Sequence, residues 1–139
     1  MAHEAILMYE TELPVPFTVS NATGIEKGAV LKLTDPFTAI ITSGDEDQIA
    51  GIAAEEKIAS DGRTKLGVYR RGIFKVYVSA AVTIGQALAI GATSNEFKPA
   101  DATCINCKCV AVALETASAD NDLIAVSFNA DGVNNNAYA

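Results

Sequence analysis

Residues Ala50 to Ser79 read AGIAAEEKIASDGRTKLGVYRRGIFKVYVS. Apolar and polar side chains alternate through Leu66-Gly67-Val68-Tyr69-Arg70-Arg71 and again through Ile73-Phe74-Lys75-Val76-Tyr77-Val78. Successive side chains on a strand point to opposite faces, so a period of two with β-branched and aromatic residues marks half-buried strands. Arg71-Gly72 separates the two runs and predicts a bulge or sharp bend, where a missing Cβ is an advantage. Ahead of them, Ala50 to Glu56 reads as a strand of small residues, and Ser60-Asp61-Gly62-Arg63 as the turn that follows it. The middle of the chain thus predicts a β-meander, and no catalytic constellation lies in it.

The same pattern recurs further along. Gly28-Ala29-Val30-Leu31-Lys32-Leu33 precedes Gly51-Ile52-Ala53-Ala54-Glu55-Glu56, and Gly85-Gln86-Ala87-Leu88-Ala89-Ile90 precedes Ala111-Val112-Ala113-Leu114-Glu115-Thr116. Each half closes on an alternating strand, Leu66 to Tyr69 in one and Ile124 to Phe128 in the other. Two β-modules offset by roughly sixty residues, sharing one barrel or sandwich core, account for the pattern; chance likeness of short strands is the alternative.

A chain of 139 residues is of single-domain size and buries enough surface to need no disulfide or metal staple. Half of it is apolar, yet no apolar run approaches the ~20 residues that cross a bilayer. The start, Met1-Ala2-His3-Glu4-Ala5-Ile6, lacks the basic segment of a secretory signal, so a soluble protein made in the cytoplasm is expected. Net charge is −7, from 17 acidic and 10 basic residues. That surface repels a phosphate backbone, and Arg70-Arg71 is too short a basic run to offset it.

Cys104, Cys107 and Cys109 form C-x-x-C-x-C. Zinc takes four nitrogen or sulfur ligands, and the one histidine, His3, lies a hundred residues upstream. A thioredoxin-type motif opens a helix, whereas Cys107-Lys108-Cys109-Val110-Ala111-Val112 alternates as a strand does. The three are expected to be small fillers of a core, with no metal and no cofactor.

Residues 1–17, MAHEAILMYETELPVPF, combine an apolar start with Pro14 and Pro16. Neither proline can donate to a ladder, and the segment is expected to be an extended arm reaching up to ~50 Å. Its apolar side chains must pack on something, either as an edge strand of the same domain or on a neighbouring subunit. The β domain is expected over 18–129, with halves 18–79 and 80–129, and a flexible tail over 130–139. Ser43-Gly44-Asp45-Glu46-Asp47 lacks the spaced ligands of a calcium loop and reads as a solvated turn. Glu55 and Glu56 are adjacent on a strand and point apart, so they do not converge as an acid–base pair. There is no tryptophan, nucleophile elbow, phosphate loop or dinucleotide fingerprint. An enzyme is not expected.

The run from Val15 to Val78 resembles the capsid cement, or decoration, proteins of tailed bacteriophages. The matching pieces are Val15-Pro16-Phe17-Thr18-Val19, Ile25 to Pro36 with Phe37 behind it, Ala50 to Lys57, and Gly67 to Phe74. Gly85-Gln86-Ala87-Leu88 and Ala111 to Thr116 echo the same family.

This resemblance implies an all-β fold, a compact, β-tulip-like barrel or sandwich. It also implies attachment to the major capsid protein on the outside of an assembled shell, which it reinforces against packaged DNA. The partners it implies are that shell and further copies of the chain, most often a trimer and in some relatives a dimer. It carries no catalytic residues, while the acidic charge and the lack of a long apolar run argue against a direct nucleic-acid or membrane partner. On an arm model the contacts are Tyr9, Leu13, Pro14, Val15 and Pro16. The rival reading, a host-surface or carbohydrate-binding module on the virion, calls for an exposed aromatic platform.

Overall fold

The computed structural model describes residues 3–43, 48–91, 93–100 and 109–133. Its strands are β1 Ile6–Tyr9, β2 Val15–Thr18, β3 Val30–Asp35, β4 Thr38–Ile41, β5 Ile49–Ala53, β6 Lys65–Tyr69, β7 Arg71–Val78, β8 Ala87–Ile90, β9 Glu96–Pro99, β10 Cys109–Ala113 and β11 Leu123–Asn129. Among the described residues there is no helix. The expected all-β fold is what the chain adopts.

Two closed rings of five strands make up the body. The first runs β2-β4-β3-β5-β6, and the second β7-β11-β10-β8-β9, closed by pairing of β7 with β9. Both close through a short parallel contact, Thr18 beside Thr38 in one and Tyr77–Val78 beside Glu96–Phe97 in the other. All other ring pairings are antiparallel. The rings therefore share one strand order, with β2, β3, β4, β5 and β6 corresponding to β7, β8, β9, β10 and β11.

The correspondence extends to single hydrogen bonds. Gly28 N–H donates to Ala53 O, as Gly85 N–H does to Ala113 O. The bridge between Ile25 and Lys57 matches that between Val82 and Ala117. Glu55 accepts the N–H of Gly67, and Glu115 that of Ala125. A bulge leaves Ala50 unmatched opposite Leu31–Lys32 and Val110 unmatched opposite Leu88–Ala89. Such an extra residue bends a strand sharply, which a five-stranded ring requires. Asp61 and Asp122 pin the turns after β5 and β10. The N–H groups of Arg63 and Ile58 hold Asp61 below the usual carboxylate range, and those of Ser118 and Ala119 do the same for Asp122. Both turns are thus held at neutral pH and loosen only as pH falls through those lowered values.

Packing explains which strands alternate and which do not. β7 alternates exposed or half-buried with buried positions along its whole length, because one face meets the core. β5 is buried at every position, since it lies between two cores. Its Ala50 and Ala53 enter the core of the first ring with Phe17, Leu31 and Leu66. Ile49 and Ile52 enter a larger core with Phe74, Val76, Ile90, Phe97 and Phe128 of the second ring. Strands buried on both faces read as continuous apolar runs, as this one does.

Several expectations are corrected. β6 and β7 are not neighbours in a meander; Arg70 is where the chain crosses from one ring to the other. The halves divide there rather than after Ser79, because β7 pairs with β11, β9 and β1. Gly72 lies inside β7, where a Cβ would meet the Phe74 ring 2.8 Å away.

Residues 3–17 pack on their own domain, the first of the two alternatives, rather than standing off as an arm. Ala5 is buried and donates its N–H to Gly28 O at 2.8 Å. Gly28, at φ 90°, presses so closely on Ala5 O that a Cβ would overlap it. β1 pairs with Ile73, Phe74 and Lys75 of β7, and β2 is a stave of the first ring. Removing residues 1–16 would take away β1 and half of β2, so that truncation is not neutral. At the other end, Ala130 is buried and Val133 N–H donates to Cys109 O at 2.8 Å; the first residues read as tail belong to the body. Residues 134–139 lie outside the described residues.

Candidate functional site

Pro14 and Pro16 explain why the chain leaves one strand edge bare. Gly67, opposite Pro16, sends its carbonyl to Ala54 N–H and its own N–H to Glu55, both on the β5 side. Its neighbours Leu66 and Val68 therefore face Phe17 and Val15 across the β2–β6 ladder. By alternation Pro14 and Pro16 turn their backbone the other way, as Thr18 does in donating to Phe37 O at 2.6 Å. With no N–H on either proline, this edge cannot donate to a further strand. The corresponding edge of β7 is covered by β1.

Beside that edge lies an open depression of about 430 Å³. Val15, Phe17, Leu33 and Phe37 supply its apolar lining, and Glu12 and the Arg70–Asp131 ion pair (2.7 Å) complete it. Phe37 sits at the tip of the β3–β4 hairpin, is 64% exposed, and stands 5.5 Å from the Phe17 ring. Its φ is 50°, the left-handed region that bulky side chains avoid.

The residues expected to make contacts fall around this depression unevenly. Val15 lines it, and Leu13, 74% exposed, is next to the lining residue Glu12. Pro14 is half-buried near Gly67, Pro16 is exposed, and Tyr9 is exposed at the end of β1. The connector that carries Leu13 is tethered: the Tyr69 hydroxyl donates to Glu10 at 2.8 Å, and that bond, with burial, raises the phenol above its usual range. Leu33 and Phe37 were not singled out from the sequence. They entered only through the strand pattern and the family resemblance, and Thr34-Asp35-Pro36 marks a turn but not an aromatic at its tip.

Other polar groups tie the body together. Lys57 is buried and its ammonium donates to the carbonyls of Asn21 (2.7 Å), Thr23 (3.0 Å) and Ile58 (3.2 Å), with Asp61 at 3.5 Å. Asn95 is buried at the tip of the β8–β9 hairpin. Its Oδ1 accepts the N–H of Val30 and its own N–H donates to Thr42, which locks that tip onto the first ring. His3 Nδ1 lies 2.9 Å from Glu96, and its ring packs 4.5 Å from Tyr77.

None of these sets places a nucleophile beside a base. Among the described residues no group of three or more His, Cys, Asp or Glu could hold a metal. Cys109 is buried at the start of β10, and burial pushes its thiol up, as expected of a core filler. Cys104, Cys107 and residues 44–47 of the acidic loop lie outside the described residues.

The fold is similar to the crystal structure of the head fiber gp8.5 N base of bacteriophage phi29. The TM-score is 0.58 at 14% identity, covering 86% of this chain and 98% of that one. No curated protein matches the chain significantly by sequence. The model of the phage cement protein family matches residues 9–128. That match runs from the end of β1 through both rings, and the chain belongs to the phage cement protein family.

Proposed function

We propose that this phage capsid-associated structural protein binds the outer surface of the assembled shell, contacts the major capsid protein, and strengthens the shell against the pressure of packaged DNA. The observation that carries the reading is the family match through residues 9–128. The architecture suits a passive fastener. Two closed rings leave few free strand edges, and the bare edge of β2 carries prolines, so the body resists indiscriminate pairing. Tyr9, Leu13, Pro14, Val15 and Pro16 contribute to the contact from a segment tied to the body rather than as a loose arm. Several copies joined on one shell, as a trimer or a dimer, bind with a high effective concentration, so individually weak contacts add up. A net charge of −7 suits basic patches on the partner.

The test is co-sedimentation of purified protein with assembled shells of its phage, together with release of packaged DNA on heating. Saturable binding and a higher temperature of DNA release are expected. Full retention of DNA stability on shells stripped of the protein would contradict the reinforcing role.

A further inference from the structure

The two rings differ at one place where their shared strand order makes them comparable. By the pairing of β2 with β6 and of β7 with β11, Val15 corresponds to Phe74 and Phe17 to Val76. By the β3–β4 and β8–β9 hairpins, Leu33 corresponds to Ile90 and Phe37 to Asn95. In the second ring all four positions are buried. There Val30, Ile49, Ile52 and Tyr69 of the first ring join Phe74, Val76 and Ile90 in one core, and Leu7 of β1 packs against it. The same four positions of the first ring line the open depression.

We infer that this mouth of the first ring is the surface that seats on the shell protein, with Phe37 as its anchor. The inference rests on the proposed attachment to a capsid shell. What fits is an apolar β-surface, as in the second ring, here with a basic group beside it to meet Glu12. The second ring of another copy does not present such a surface. The face of the first ring that fills the second is built from Val30, Ile49, Ile52 and Tyr69. Its counterparts in the second ring are Ala87, Cys109, Val112 and Ser127, which are smaller or more polar. Ala87 and Cys109 are moreover already buried in a cluster against which Val133 packs. Another copy's second ring thus lacks the bulky apolar face that fills this place, which favours a different polypeptide as the occupant. The left-handed φ of Phe37 points the same way, since strain of this kind collects at binding sites.

Asparagine tolerates that φ better than phenylalanine and stands at the corresponding position, Asn95. Phe37→Asn should therefore melt no lower than the parent protein while losing about thirtyfold in affinity for shells, the loss typical of removing an interface anchor. Ile58→Asn, at an exposed apolar position on another loop, should bind shells as the parent does. Titration by co-sedimentation, with sedimentation velocity on the free proteins, reads all of this. Unchanged shell binding by Phe37→Asn would overturn the mouth as the contact while leaving shell attachment standing. Failure of the parent protein to bind shells would overturn both. Dissociation of a free oligomer on Phe37→Asn, without a matching loss at the shell, would assign the mouth to a second copy and overturn the inference as well.

Discussion

Gly51→Ala is expected to destabilise the protein by about 3 kcal/mol or more, a large share of the stability of an ordinary domain. Gly51 has φ 152° at the bulge of β5. A Cβ there would overlap the carbonyl oxygen of Tyr69 and the Cγ1 of Val68. One of those atoms belongs to the ladder backbone and the other fills the first ring's core, so neither yields without opening the β5–β6 pairing. Gly62→Ala is the control. Gly62 has φ 89° but no atom near its absent Cβ, so only backbone strain remains, about 1 kcal/mol. Thermal unfolding separates the two: a fall of roughly 10 °C for Gly51→Ala against about 3 °C for Gly62→Ala. Equal shifts would mean that conformational strain, and not closure of the ring, sets the cost at Gly51.

Lys57→Met is expected to cost about 2–4 kcal/mol, because it keeps the bulk of the side chain and removes its ammonium. Three backbone carbonyls lose the ammonium at once, those of Asn21, Thr23 and Ile58, of which Asn21 keeps the Ser60 N–H. They belong to two loops that meet through the Ile25–Lys57 bridge and through Asn21, which accepts the N–H groups of Ser60 and Gly62. The second ring has Ala117 at the matching position, so the strand itself accepts an apolar residue there. What fails in Lys57→Met is the clamp between loops. Amide exchange should accelerate around residues 20–25 and 57–63 more than in the second ring. An unchanged melting temperature would mean that water replaces the ammonium at no cost.

How much of this was legible in the sequence depended on whether a residue's role was set by its neighbours along the chain. Period-two alternation in Leu66–Tyr69 and Ile73–Val78 located β6 and β7, since burial of one face leaves that imprint locally. The likeness of Gly28–Leu33 to Gly85–Ile90 fell on strands that hold matching places in the two rings. Glu55 and Glu115, which end the small-residue strands, turned out to accept matching backbone N–H groups. The crossing at Arg70 left no such imprint, because adjacent alternating strands look the same whether they pair with each other or part company.

The first 17 residues left two partners open for a related reason, and the structure shows the same domain as the partner of β1 and β2. Pro14 and Pro16 do exclude a central ladder position, but a strand with one bare edge satisfies them as well as a free arm does. Lys57 resembles any surface lysine until the carbonyls of distant Asn21 and Thr23, with that of its neighbour Ile58, surround it. The mouth of the first ring was illegible because it is defined by comparison: Phe37 is conspicuous only once Asn95, its counterpart, is seen buried.

Imaging shells saturated with this protein, at a resolution that separates the two rings, tests the central claim most directly. Density is expected on the outer surface, with the β3–β4 tip and Phe37 against the major capsid protein. Bare shells, or bound molecules with the Phe37 end pointing into solvent, would contradict it.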